Sequence, residues 1–205
     1  MKKQSVVILF VMLFLGVTST GFSQVRFGVK AGLNLANVSG DEVGDTKMLP
    51  TFLIGGQAEF GLSDNLGLGV GLQLNGKGFK VADDLLGEDF KYSVMYIQVP
   101  VLLQYRNSGF FAGVGPYFGF AVSGKAKAGG NSISLEFGNS ENDDLAPLDY
   151  GAGFELGYEF SNIRATASYN LGLANIVPKD IADAEDVSVK NTVIGIAVAY
   201  LFGGE

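Results

Sequence analysis

Apolar residues occupy every second position in eight separate stretches of the chain, and a period of two restricts those stretches to strands with two unlike faces. We read the stretches as residues 25–35, 51–62, 66–76, 92–106, 109–122, 149–160, 163–174 and 191–202. In the first, Val25, Phe27, Val29, Ala31, Leu33 and Leu35 alternate with Arg, Lys, Asn and Gly. In the third the apolar set is Leu66, Leu68, Val70, Leu72 and Leu74, and in the last it is Thr192, Ile194, Ile196, Val198, Tyr200 and Phe202. Each stretch is long enough to cross a bilayer as a tilted strand, which takes about 9–11 residues.

The connections alternate in length. Three are short: Ser63-Asp64-Asn65, Asn107-Ser108 and Ser161-Asn162. The other four, residues 36–50, 77–91, 123–148 and 175–190, are long. Short turns at one end and long loops at the other are the pattern of an outer-membrane barrel with its termini in the periplasm. The expected fold is all-β: an eight-stranded antiparallel up-and-down transmembrane β-barrel with short periplasmic turns and long extracellular loops.

Charge placement decides which face meets which solvent. Most charged residues fall in the four long loops. With Asp149 counted at the edge of the third long loop, the seven that fall within strands are Arg26, Lys30, Glu59, Arg106, Glu155, Glu159 and Arg164, and all seven lie on the non-apolar phase. That phase is also rich in glycine, which would weaken a water-facing wall but fits a narrow, side-chain-filled barrel interior. The apolar phase therefore faces lipid. Phe27, Phe60, Tyr105, Phe110, Tyr158, Phe160, Tyr200 and Phe202 are expected at the periplasmic rim, with Phe52, Phe118, Phe120 and Tyr150 at the other, as two aromatic girdles.

The chain opens with Lys2 and Lys3, a twelve-residue apolar run from Val6 to Val17, and small residues at Gly21 and Ser23. This is the layout of a secretory signal peptide. We expect residues 1–23 to be removed on export to the cell outer membrane, leaving residues 24–205 as the barrel domain. The remaining chain holds 12 basic and 21 acidic residues, a net charge of −9, which argues against nucleic acid as a partner.

The stretches GVKAGLNLANVSGD, MYIQVPVLLQYR, FFAGVGPYFGFAVSGK and DYGAGFELGYEF resemble, in order and spacing, the successive strands of the PorT-like, or outer membrane protein beta-barrel domain, family. The resemblance spans the chain after the signal. It implies a small porin-like barrel of Gram-negative, Bacteroidetes-type bacteria. Some relatives are associated with gliding and secretion machinery. The family has no agreed catalytic motif, so none is carried over.

The chain has no His and no Cys, which removes imidazole and thiol chemistry. Glu155 and Glu159 share the inner face and could in principle act as an acid–base pair. Hairpin pairing across Ser161-Asn162 instead sets Glu159 opposite Arg164, and the topology brings Arg26, Glu59 and Arg106 to the same end. We therefore read Arg26, Lys30, Glu59, Arg106, Glu155, Glu159 and Arg164 as a structural lumen charge network, and exchanging the charges at 159 and 164 should restore what Glu159→Ala removes. Phe111, Tyr117, Tyr96 and Leu102 should fill the rest of the bore. No catalytic, cofactor-binding or metal-binding residue is expected. The acidic loop stretches ENDDLAP and DIADAEDVS lack the spacing of a calcium loop and read as solvated surface. Residues around Gly129–Asn131 should form a hairpin in the third loop. The expected role is a structural or interaction barrel that displays acidic loops at the cell surface. Its partners would be the lipid bilayer and proteins met through extracellular loops or periplasmic turns. The alternative is a narrow porin-like channel or transporter for small solutes.

Overall fold

A bilayer offers no water to backbone N–H and C=O groups, so strands that cross it must pair along both edges. The computed structural model, which describes residues 25–40, 44–81, 90–128, 130–178, 180 and 187–203, meets that demand by closing on itself. The expected signal peptide lies outside the described residues. The strands are β1 (Val25–Ser39), β2 (Thr46–Lys47), β3 (Leu49–Gly61), β4 (Leu66–Val81), β5 (Phe90–Asn107), β6 (Phe110–Ala128), β7 (Asn131–Ser134), β8 (Leu148–Phe160), β9 (Ile163–Gly172) and β10 (Lys190–Phe202). The eight long strands pair antiparallel in the order β1-β3-β4-β5-β6-β8-β9-β10, and β10 returns to β1. The closing register runs from Phe27 opposite Phe202 to Ser39 opposite Lys190. Two short strands lie outside the ring: β2 extends the edge of β4, and β7 folds back on β6.

Side chains take the two faces that the alternation assigns them. Leu33 is 65% exposed and Ile196 63%, on adjacent strands of the outer wall. Phe27, Tyr105, Phe110, Tyr158, Phe160, Tyr200 and Phe202 are exposed toward the turn end, and Phe52, Phe118, Phe120 and Tyr150 toward the loop end. Phe60 is half-buried. Inside, Tyr96, Leu102, Phe111 and Tyr117 are buried. Glycine on this phase makes room. A Cβ at Gly69 would lie 2.1 Å from Nε2 of Gln104, and one at Gly67 would lie 2.7 Å from Nη2 of Arg106.

The strands overrun the expected boundaries at the loop end. β1 continues to Ser39, β4 to Val81 and β6 to Ala128, while β5 begins at Phe90. Beyond the lipid nothing requires every second residue to be apolar, so the pattern fades while the backbone ladder goes on. A bulge opposite Met95 and Tyr96, at Val122, resets the alternation of β6; one extra residue does this. At the turn end, the β5–β6 connection centres on Ser108-Gly109, one residue later than expected. Ser108 has φ 50 and Gly109 φ 86, and two successive positive φ angles are what a tight hairpin turn needs. The third loop does form a hairpin, with Ala128 opposite Asn131. Its continuation packs Leu135 onto Val94, Tyr96 and Ala121, with Phe137 and Leu145 against the same cluster.

Placing a charge on the outer wall tests this arrangement. Ile196→Lys should destabilise the folded barrel by about 2–4 kcal/mol, read from urea unfolding in lipid vesicles.

Candidate functional site

The inner wall is where polar chemistry collects, and it begins at the turn end with Glu59. Its side chain is 1% exposed. Three guanidinium groups donate to it. Arg164 reaches both carboxylate oxygens, at 2.5 and 3.0 Å, Arg26 Nη2 donates at 2.8 Å, and Arg106 Nη1 at 3.1 Å. The amides of Gln57 and Gln104 add 2.9 and 3.3 Å contacts. Glu159 takes the outer sides of two of the same arginines, with Arg26 Nη1 at 2.5 Å and Arg164 Nη2 at 2.6 Å. The Arg164 guanidinium carbon also stands over the Phe111 ring, 3.9 Å from its centre. Five of the seven strand charges thus meet in one cluster, drawn from β1, β3, β5, β8 and β9. The side chains cross the bore because each enters from a different strand.

Lys30 and Glu155 do not join that cluster. They form a separate pair at 2.5 Å farther along the bore. The two carboxylates considered as an acid–base couple, Glu155 and Glu159, are each held by a different cation. Beyond them comes a run of amides: Asn34 Nδ2 donates to Asn75 at 2.7 Å, and Asn75 Nδ2 to Gln98 at 3.2 Å.

A second ion pair sits toward the loop end. Lys77 Nζ lies 2.7 Å from Asp149 Oδ2, and both side chains are 0% exposed. Asn191 Nδ2 donates to the same oxygen at 3.0 Å, and the Tyr117 hydroxyl donates to Oδ1 at 3.3 Å. The Lys77 ammonium stands 4.1 Å from the ring centre of Tyr117 and 5.3 Å from that of Tyr96. Periodicity does not reveal this pair, because it puts Lys77 in the second long loop and Asp149 at the edge of the third. The signal was present: Lys77 continues the inner phase of Gly69, Gln73 and Asn75, and Asp149 that of Gly151 and Glu155.

Charged groups this deep need partners, since desolvation would otherwise cost several kcal/mol per ion. The space between the clusters is small. Two voids beside Lys30, Gln73, Pro100 and Leu102 measure about 20 and 10 Å³, room for about one water each. By contrast a vestibule of about 700 Å³ opens at the turn end, lined by Arg26, Arg106, Glu159, Asp64 and Asn65. At the loop end the acids of ENDDLAP serve the loop itself. Asp143 accepts the Ser140 backbone N–H and Asp144 that of Glu136, both at 2.8 Å. Most of DIADAEDVS lies outside the described residues.

Comparison with known proteins agrees with this architecture. A family model described as an outer membrane protein beta-barrel domain matches residues 18–177. The structure is similar to Ail, the attachment invasion locus protein of Yersinia pestis, solved in complex with the heparin analogue sucrose octasulfate. The TM-score is 0.50 at 14% identity, covering 87% of this chain and 99% of that one. It is also similar to Neisserial surface protein A, with a TM-score of 0.51 at 13% identity, covering 85% and 96%. At such identities the likeness concerns the fold alone. A search of curated proteins finds no match.

The geometry ranks the carboxylates. Glu59→Ala leaves Arg106 without a carboxylate and crowds Arg26 and Arg164 onto Glu159 alone, and should cost about 3–5 kcal/mol, whereas Glu159→Ala leaves Arg26 and Arg164 held by Glu59 and should cost about 2 kcal/mol. Exchanging the charges at 159 and 164 should not restore stability, because it sets a carboxylate against Glu59 and a guanidinium against Arg26. Urea unfolding in vesicles, with heat-shifted gel migration as the fold check, measures all three.

Proposed function

The chain belongs to the outer membrane protein beta-barrel domain family, and from that premise we propose that it is a closed structural barrel whose work is done at its ends. As a small outer-membrane β-barrel it sits in the lipid bilayer, reached by export with residues 1–23 as a cleaved signal peptide. Within the family we place it among the PorT-like members.

One observation carries the closed-bore reading. Glu59 gathers Arg26, Arg106 and Arg164 from three other strands into a single cluster across the lumen. An eight-stranded interior is just wide enough for side chains to fill. Opening it would separate several charge-assisted hydrogen bonds in a poorly hydrated space, which is costly. A structural plug, with Lys30 and Glu155 as a separate pair, accounts for the seven strand charges without invoking turnover, and the barrel is read as a non-enzyme. Its loops then serve display and interaction at the cell surface. Apart from the buried Lys77 and Asp149, the long loops hold 15 acidic residues and 7 lysines, a surface suited to cationic or hydrogen-bonding protein partners.

Planar-bilayer recording separates this reading from a narrow channel or transporter. The purified barrel should insert without discrete conductance steps. Reproducible single-channel steps from the unmodified protein would replace the closed barrel with a small-solute channel.

A further inference from the structure

The strand registers at the loop end bring together four lysines that are far apart in sequence. Lys47 on β2 is directly opposite Lys80 on β4, Lys80 opposite Lys91 on β5, and Lys91 opposite Lys127 on β6. Directly opposed residues share a face, with Cβ atoms about 4.5–5.5 Å apart. Lys47 makes a further interaction of its own. The other three, Lys80, Lys91 and Lys127, are like charges in one row, which repel one another and destabilise the sheet that holds them. Among the described residues Lys80, Lys91, Lys125 and Lys127 form no ion pair.

The neighbours on this face are donors too. The row ends on Ser132, opposite Lys127, and the next rung but one toward the membrane reads Ser93, Lys125, Ser134. Asp45 and Glu136 form no ion pair with these lysines among the described residues. A chain whose net charge is −7 even with its two N-terminal lysines has therefore set a compact cationic patch on one wall of its protruding sheet.

The patch faces outward. Lys91 shares the phase of Met95 and Ile97, and the opposite phase carries the buried Val94 and Tyr96. The lysines thus lie on the wall that touches lipid, beyond the aromatic level where Ile97 pairs with Phe120. Six residues from Ile97 to Lys91 correspond to roughly 20 Å along the strand, or roughly 15 Å of height at the tilt of a membrane barrel. That sets the row past the acyl chains, facing the polar layer where phosphates carried on sugars lie. Long lysine side chains can also lean back toward the boundary.

We propose that the outward face formed by Lys80, Lys91, Lys125 and Lys127 binds the phosphate groups of a phosphorylated glycolipid in the outer leaflet surrounding the barrel. Bound phosphate relieves the repulsion along the row and ties the protruding sheet to the membrane surface. The proposal needs the barrel's place in the outer membrane but not a closed bore, so a conductance result leaves it untouched.

The test compares the full barrel with Lys80→Gln/Lys91→Gln/Lys127→Gln in phosphatidylcholine vesicles, with and without diphosphorylated lipid A. Melting is followed by heat-shifted gel migration. Lipid A should raise the melting temperature of the unmodified barrel by roughly 5 °C and that of the triple variant by much less. In phosphatidylcholine alone the triple variant should melt no lower than the parent, since three repelling charges are gone. Lys91→Gln alone, at the centre of the row, should lose part of the response. Equal stabilisation of parent and variants by lipid A would overturn the proposal. So would full stabilisation of the parent by soluble inositol hexakisphosphate in phosphatidylcholine, which would make the ligand a free polyanion rather than a lipid.

Discussion

Edge-to-edge closure between β1 and β10 is the constraint on which the rest of this molecule depends. A strand in hydrocarbon cannot leave an edge unpaired, because each unsatisfied backbone group costs several kcal/mol. Once the sheet is a ring, its two surfaces have different solvents. The outer one must be apolar, and Leu33, Ile54, Leu156 and Ile196 are exposed there. The inner one must hold whatever remains, within a bore only as wide as its side chains.

That division explains why the interior is both glycine-rich and charged. Glycines at 67 and 69 leave the volume that Arg106 and Gln104 fill. The charges are tolerable because they arrive in matched sets: Glu59 and Glu159 among three arginines, Glu155 with Lys30, and Asp149 with Lys77. The sets are spaced along the axis, with the hydrogen-bonded amides of Asn34, Asn75 and Gln98 also filling the bore. Salt bridges of this kind do not need to add net stability; they keep a polar interior from becoming a liability and fix which strand lies beside which.

Alternation made the architecture legible in the amino-acid sequence. Period two located the eight long strands and the wall each residue faces, and hairpin geometry set Glu159 opposite Arg164, as the structure has it. Other features depend on information that is not local. Periodicity puts Lys77 in a loop and Asp149 at a loop edge because the apolar signal stops where the bilayer does, while the strands continue. The central place of Glu59 could not be seen from any one hairpin, since its partners come from β1, β5 and β9. The lysine row is a still stronger case. It needs three registers at once, across β2, β4, β5 and β6, and within each strand it is a single ordinary lysine.

The barrel's ends are where sequence and lipid geometry leave freedom. The vestibule at the turn end, the hairpin β6–β7, and the acids that brace the third loop's own turns are all outside the wall that the bilayer dictates. Interaction specificity would reside in these parts, while the wall is set by solvent.

The central claim is the inside-out assignment of the two faces, and lipid accessibility measures it directly. The chain has no native cysteine, so single cysteines can be placed without background. A fluorophore at Leu33→Cys or Ile54→Cys in reconstituted vesicles should be strongly quenched by brominated acyl chains, and one at Asn65→Cys, in the vestibule at the turn end, should be spared. Equal quenching at all three positions, or none at Leu33→Cys and Ile54→Cys in a folded barrel, would contradict the account.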